Sequence, residues 1–539
     1  MRRLSIFVLA PFLALLHVAA SRAQSSSPLG TTLGFNAWPH RAPQLPAAEG
    51  LRDHVANGKL VLSVDDSIRL ALVNNTDIRV DRSQIDFALH NLERSHSPFD
   101  PVATSSFNDI RTKSLPTSTL QGAPLVNNLS QTTLMGYQQL FPTGTTFQTT
   151  FIANKFSTNN SFNIVNPSLA TSIQFTVTQP LLRNFGLFPN RAPIFIAQSN
   201  LKQARANFTA EVSNIILQVA RDYWSVILAR ENLDVQQKSL DEAQKSYEHD
   251  KKALSLGALP PLDIYRSESQ VASRRVGVIQ AEYALKQNAD VFRQDIAADL
   301  DPAIRALDLD LTDQPAPTGE LPSMDIATAL ARALANRPEF EAVKEQLASD
   351  ELTIRLQQNN LKPDLELSGF YWGNGLNSSA AGIDIGLTGS LSQSFHFTYP
   401  TYGASLSLTL PVRRHSAQAN LADALVGRSR DQYVERRTNQ SITLEVTNAV
   451  HALEQAKLSM EAAKVAESLA VDTLHADERK YALGAEPVFF VLDAQTQLAQ
   501  AELNLIQSQV GFQVAVAQLE HATGDLLDHH HVQIVEPHK

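Results

Sequence analysis

The chain has no cysteine in 539 residues, so disulfides, thiolate metal centres, cysteine nucleophiles and lipid attachment at an N-terminal cysteine are excluded. Positive charge is in deficit: 45 Lys and Arg against 55 Asp and Glu leave a net charge of −10, without the basic footprint of a nucleic-acid binder. Past the first two dozen residues no apolar run approaches a membrane-spanning helix in length, so a later encounter with a membrane must use β-strands. No nucleophile–base pairing, phosphate loop or HExxH pattern is present, and nothing points to an enzyme or a cofactor. Glycine and proline are missing altogether from Ile194 to Leu256.

What is present begins with MRRLSIFVLAPFLALLHVAASRAQ: two arginines, an apolar core from Leu4 to Leu16, and Ser21-Arg22-Ala23. This is the layout of a secretory signal peptide over residues 1–23; Pro11 and the short apolar run argue against a transmembrane anchor. Residues 24–60, rich in Pro, Ser and Gly, read as an extended segment. Helical patterning starts after Ser63, a candidate N-cap with Asp66 three residues on, and Ile68, Leu72 and Ile78 mark an apolar face.

The gap-free stretch from Ile194 to Leu256 predicts roughly 95 Å of helix, far beyond an ordinary globular helix. A second such stretch runs from Ser416 to Tyr481, broken only by Gly427, and each is followed by a turn and another helix, at about 261–300 and 487–522. Between the helices, TSIQFTVTQPL (Thr171–Leu181) and ASLSLTL (Ala404–Leu410) alternate apolar and polar residues, with weaker copies at Asp364–Tyr371 and Thr145–Phe151. Period-two alternation signals strands with one apolar face. The other face carries Gln, Ser and Thr, as in a membrane barrel with a wet lumen; a soluble sandwich is the alternative. The segments 112–128 and 374–389 are long and polar, as extracellular loops are.

The chain also repeats itself. Asn74 in Ala-Leu-Val-Asn pairs with Asn336 in Ala-Leu-Ala-Asn at an offset of 262, Pro180 with Pro411 at 231, and Gly257 with Gly484 at 227. Two copies of helix, strands, long helix, turn, helix follow: residues 61–300, with strands about 101–182 and a tip turn about 254–262, and residues 324–524, with strands about 363–412 and a tip turn about 481–487. A Pro-rich joint, 301–323, lies between them and a tail, 525–539, after them. The 31 extra residues of the first copy amount to one hairpin, with Pro-Thr-Gly at 142–144 as its turn; alternation alone does not decide whether it joins the barrel wall. Four to six strands cannot close a wide barrel, and an open edge in lipid is costly, so several chains must share one.

Taken together, the duplication, the AL-x-N segments at Asn74 and Asn336, each read as opening a helix, QPLLRNFG ending a strand, and YALGAEPVFFVLDAQTQL resemble the TolC-like outer-membrane efflux proteins over nearly the whole mature chain. The resemblance implies a homotrimer in the cell outer membrane: one β-barrel shared by three chains, continued through the periplasm by an α-helical barrel of coiled-coil helices. It implies a mixed belt gathering the termini and the joint, and a passive exit duct for drugs, metals or proteins. Its partners would be a periplasmic adaptor, an inner-membrane transporter and outer-membrane lipid. Leu256, Gly257, Ala258, Leu483, Gly484 and Ala485 match the family's adaptor-contacting tips. Of the periplasmic gate, Asp263 and Tyr481 match an aspartate and a tyrosine, whereas Glu486 stands where relatives place an arginine; Arg479 or Lys480 could replace it only from another angle. Asp493 matches the second of two constricting aspartates and Phe490 occupies the first, which suggests an apolar ring that closes partly by dewetting. His529, His530 and His531 could bind metal but are assigned to an irregular tail. The competing readings are an exported structural coiled-coil protein and a simple porin, the latter opposed by the long helices.

Overall fold

The computed structural model describes residues 48–163, 165–256, 261–317, 323–376 and 386–532, without the side chains of residues 261 and 263. The candidate signal peptide therefore lies outside the described residues. Two short strands, β1 (Val55–Ala56) and β2 (Lys59–Leu62), precede helices α1 (Val64–Asn74) and α2 (Thr76–Arg94). The segment read as extended thus carries strand. Ser63 caps α1 in a reciprocal box: its hydroxyl accepts from the Asp66 N–H, and the Asp66 carboxylate accepts from the Ser63 N–H. Next come β3 (Val102–Ser114), β4 (Val126–Leu140), β5 (Thr146–Thr158) and β6 (Ser168–Pro180), then α3 (Leu187–Ser255) and α4 (Pro261–Asp295). The joint contributes β7 (Asp308–Leu311).

The second copy has α5 (Ile326–Asn336), α6 (Pro338–Asn360), β8 (Asp364–Leu376), α7 (Gly386–Phe395), β9 (Tyr399–Thr409), α8 (His415–Ala482) and α9 (Val488–Thr523). A last turn of helix, α10 (Leu526–His529), follows. The duplication is visible in the lengths: α3 and α4 have 69 and 35 residues, α8 and α9 have 68 and 36. At 1.5 Å per residue α3 and α8 are each about 100 Å long. Pro193 sits inside α3, close to its start, and Gly427 does not interrupt α8. Asn74 and Asn336 end their helices rather than open them. Asn74 clips the Glu49 backbone through both its amide oxygen and nitrogen, and Asn336 donates to Asp525.

Six strands form one antiparallel sheet in the order β3-β4-β5-β6-β8-β9. The extra hairpin, β4 and β5, therefore lies within the sheet, between β3 and β6. Pairing registers put Phe147, Val177, Gly369 and Ala404 in one row and Phe151, Ile173 and Gly373 in another, with Phe175, Tyr371 and Tyr402 between. This face is apolar, exposed at Val177, Tyr371 and Tyr402, half-buried at Phe147, Phe151, Ile173 and Phe175, and buried at Gly373; the opposite face carries Gln148, Thr150, Gln174, Thr176, Ser368 and Ser405, with Phe370 and Trp372 of β8 among them. The sheet does not close on itself, and β3 and β9 are its edges.

Part of the 374–389 segment read as a loop is otherwise. Asn374–Leu376 complete β8, residues 377–385 lie outside the described residues, and Gly386 begins α7, which packs on the apolar face. Phe395 stacks on Phe151 at 6.0 Å, and Phe397, just after α7, meets Tyr371 at 5.2 Å and Phe175 at 6.2 Å. Gly375 and Gly373 make room: a Cβ there would stand 1.9 Å from the Ser390 oxygen and 2.3 Å from that of Ser394. The hydroxyls of Thr171, Ser390 and Ser394 satisfy one another in the seam.

Midway along the helices β2 pairs in parallel with β7, joining the N-terminal segment to the joint. Tyr223 of α3 fastens both, donating to the Asp313 carboxylate at 2.6 Å. In the second copy, Ile442, Val446, Ala449 and Leu453 of α8 pack against Ala329 and Ala333 of α5 and Phe512, Ala515 and Leu519 of α9. Alanine in these rows lets the helices approach closely. Buried Arg337 reaches Glu339 at 2.7 Å and Glu445 at 3.0 Å, and His521 bridges Glu445 and Asn214. Burial disfavours the Glu445 charge, but hydrogen bonds from His521 and Arg337 outweigh it and hold its pKa down at about 2.

Candidate functional site

The four long helices end in two tips, and the second is fully described. Helix α8 stops at Leu483 because Gly484 takes a left-handed conformation, φ +69°. The Ala485 N–H bonds the Lys480 carbonyl and the Gly484 N–H that of Tyr481, the paired bonds of a Schellman ending. Pro487 then begins α9 without needing an N–H. Nothing stands within 4 Å of a Cβ at Gly484, so φ alone requires glycine there. Leu483 is 84% exposed, and Leu256, at the end of α3, 83%. The two leucines occupy corresponding positions at the ends of α3 and α8. Gly257 and Ala258 lie outside the described residues.

Just above the tip, Asp250 of α3 is completely buried. Tyr481 of α8 donates to its Oδ1 at 2.9 Å, and the buried Ser267 hydroxyl of α4 donates to its Oδ2. His249 stacks edge-on against Tyr481 with ring centroids 5.6 Å apart. A single carboxylate thus ties together three helices of both tips. Asp263 lies in the first turn of α4, and its side chain is outside the described residues. Asp250, Ser267 and His249 were not singled out in the sequence; the available signal was an acidic residue on the buried stripe of α3.

Glu486 makes a 2.9 Å ion pair with Lys480, which also reaches Asp477 at 3.2 Å. The two carboxylates, Glu486 first, raise the Lys480 pKa. The reversed charge at Glu486 is thereby met by a lysine from within the same tip, and Arg479 turns back to the His475 carbonyl. Phe490 is exposed and meets exposed Phe489 edge-on at 5.5 Å. Asp493 is exposed and accepts from Gln497 at 2.7 Å, one helical turn on. Behind them Val491 and Ala494 pack on Leu474, with Tyr481 and Leu498 against the same cluster. So Tyr481 faces the interior between the hairpins, whereas Phe490 and Asp493 face away from it.

Higher on the bundle, burial and nearby Glu478 raise the pKa of Glu242, and burial lowers that of Arg274, which donates to Thr496 at 2.7 Å. No described helix is long and apolar enough to cross a membrane.

Residues 153–294 and 329–525 match the model of the family described as Outer membrane efflux protein. Outer membrane protein TolC of Vibrio cholerae serotype O1 is 23% identical over 332 residues, covering 61% of this chain and 72% of that protein. The solved outer-membrane channel OprN is similar with a TM-score of 0.64 at 16% identity, covering 86% of this chain and 90% of that one. The Campylobacter jejuni CmeC outer membrane channel gives 0.63 at 13% identity, over 90% and 94%. Both structures share the fold of long helices continued by a sheet.

Proposed function

Because this chain belongs to the outer membrane efflux protein family, and so to outer-membrane channels with a large periplasmic helical portion, we propose that three copies form one passive exit duct. In this reading the duct receives cargo from a periplasmic adaptor and an inner-membrane transporter. The observation that carries it is the open six-stranded sheet with one apolar and one polar face. Such a sheet cannot stand alone in lipid, because the edge groups of β3 and β9 would lack hydrogen-bond partners. With six strands per copy, β3 and β9 run in opposite directions, so β9 of one copy can pair antiparallel with β3 of the next. Three copies supply 18 strands. At about 4.8 Å per strand and a tilt of about 40°, such a barrel is about 36 Å across, against about 24 Å without the β4–β5 hairpins.

The tips are the proposed periplasmic end. Leu256, Leu483, Gly484 and Ala485, with Gly257 and Ala258 from the sequence match, are the residues this reading assigns to adaptor contact. Tyr481, Glu486, Phe490 and Asp493, with Asp263, form the gate region, to which Asp250 is added as the residue that holds the hairpins together.

The test exploits the missing cysteines. Ser106→Cys, Thr104→Cys or Asn108→Cys on β3 is combined with Thr401→Cys or Ser405→Cys on β9, and outer-membrane fractions are oxidised. Covalent dimers and trimers are expected for at least one pair, whereas each single variant stops at the dimer or below. A monomer with every pair, together with a monomeric mass in detergent, would overturn the shared barrel.

A further inference from the structure

Residues 524–532 fold back against the end of α9. Gly524, φ +79°, ends α9, with the Asp525 N–H bonded to the Glu520 carbonyl, and α10 then turns the chain back on itself. This brings His529 Nδ1 within 2.8 Å of Glu520 Oε2. The next residue, His530, is only 10% exposed and places Nδ1 at 2.8 Å from Asp65 Oδ1, in the first turn of α1. The two imidazoles lie 5.0 Å apart, tilted by 35°. Glu520, His529 and His530 can each offer one ligand atom so that the three lie within 4.8 Å of one another. Segments from both ends of the chain meet here, in a charge pattern the exit duct does not require.

We propose that Glu520, His529 and His530 bind a divalent transition-metal ion of the zinc class, with Asp65 orienting His530 from outside or completing the shell. Metal–donor bonds of about 2.0–2.2 Å separate neighbouring donors by about 3–3.5 Å. The set therefore closes by side-chain rotation, and the 60% exposed His529 is free to make it. Two imidazoles and a carboxylate are borderline donors that suit Zn²⁺, Ni²⁺ or Cu²⁺. They do not suit Ca²⁺ or Mg²⁺, which take oxygen shells. A carboxylate on one ring nitrogen is also the arrangement that fixes the tautomer of a metal-bound histidine. Occupancy would staple the end of α9 to α1, at the belt where the two copies meet.

The experiment uses the full chain purified without a histidine tag and stripped with a chelator. Zn²⁺ is titrated by calorimetry, with Ca²⁺ in parallel. One Zn²⁺ per chain is expected, with a dissociation constant of about micromolar or tighter. His529→Ala and Glu520→Gln should each weaken it tenfold or more, and His531→Ala should leave it unchanged. Stoichiometric loss in wild type, equal binding of Ca²⁺, or wild-type affinity in His529→Ala would overturn the site. So would equal losses in His531→Ala and His529→Ala, which would mean an unstructured histidine tract.

Discussion

Replacing Tyr481 by Phe removes one hydroxyl and leaves the ring that packs with His249 and the Leu474 cluster. The hydroxyl donates to a carboxylate with no exposure to solvent, which also accepts from the Ser267 hydroxyl and has His249 Nδ1 at 3.6 Å. A hydrogen bond to a charged group contributes about 1.5–3 kcal/mol, most of it the desolvation of the group left behind. Because Tyr481 belongs to α8 and Asp250 to α3, that energy is present only while the two hairpins are together. Its loss shifts the balance from joined to parted tips by roughly 10- to 150-fold per chain. Hydrogen exchange of tip amides, at Leu483 to Ala485 and in the last turn of α3, should accelerate by that factor, and conductance of the channel in planar bilayers should rise. Ser267→Ala should act in the same direction, and the double variant should be non-additive, since both act through Asp250. Wild-type exchange and conductance in Tyr481→Phe would refute the role assigned to Asp250.

Phe490→Ala should raise conductance if the phenylalanines close the bore; an unchanged Phe490→Ala beside a raised Asp493→Ala would transfer that role to the aspartate. The Glu445 pKa, about 2 against 4.5 for a free glutamate, is depressed by folding, so its contribution is complete above about pH 4.5 and is lost as pH falls toward 2. Melting temperatures should drop across that interval, and Glu445→Gln should be less stable at neutral pH and flatter below it. Gly375→Val should dislodge α7, since even a Cβ would meet the Ser390 carbonyl at 1.9 Å; protease access to residues 386–397 would report it, and an unchanged cleavage pattern would contradict the packing. Gly484→Ala should cost about 1–2 kcal/mol through its positive φ alone, read as a lower melting temperature of the tip segment.

The sequence by itself determined the architecture. Period-two alternation in Thr171–Leu181 and Ala404–Leu410, long helical runs with at most one glycine, and the offset pairs Asn74/Asn336 and Gly257/Gly484 are local or repeating signals that need no knowledge of contacts. Glycine at 484 was legible for the same reason, since a tight helix ending restricts a single residue's φ. What lay beyond it was decided by approach across the chain. β3 and the β4–β5 hairpin have side chains that alternate weakly, so only their hydrogen-bonded register placed them in the sheet. Asp250 looks like any acidic residue of a long helix until Tyr481, 231 positions later, is brought to its oxygen. Lys480 meets Glu486 only because the turn between them folds back. His529 and His530 read as a polar tail because nothing nearby in sequence shows that α9 ends in a reversal toward Glu520 and Asp65. Burial and pairing of charged groups depend on which surfaces meet, and that is a property of the folded chain.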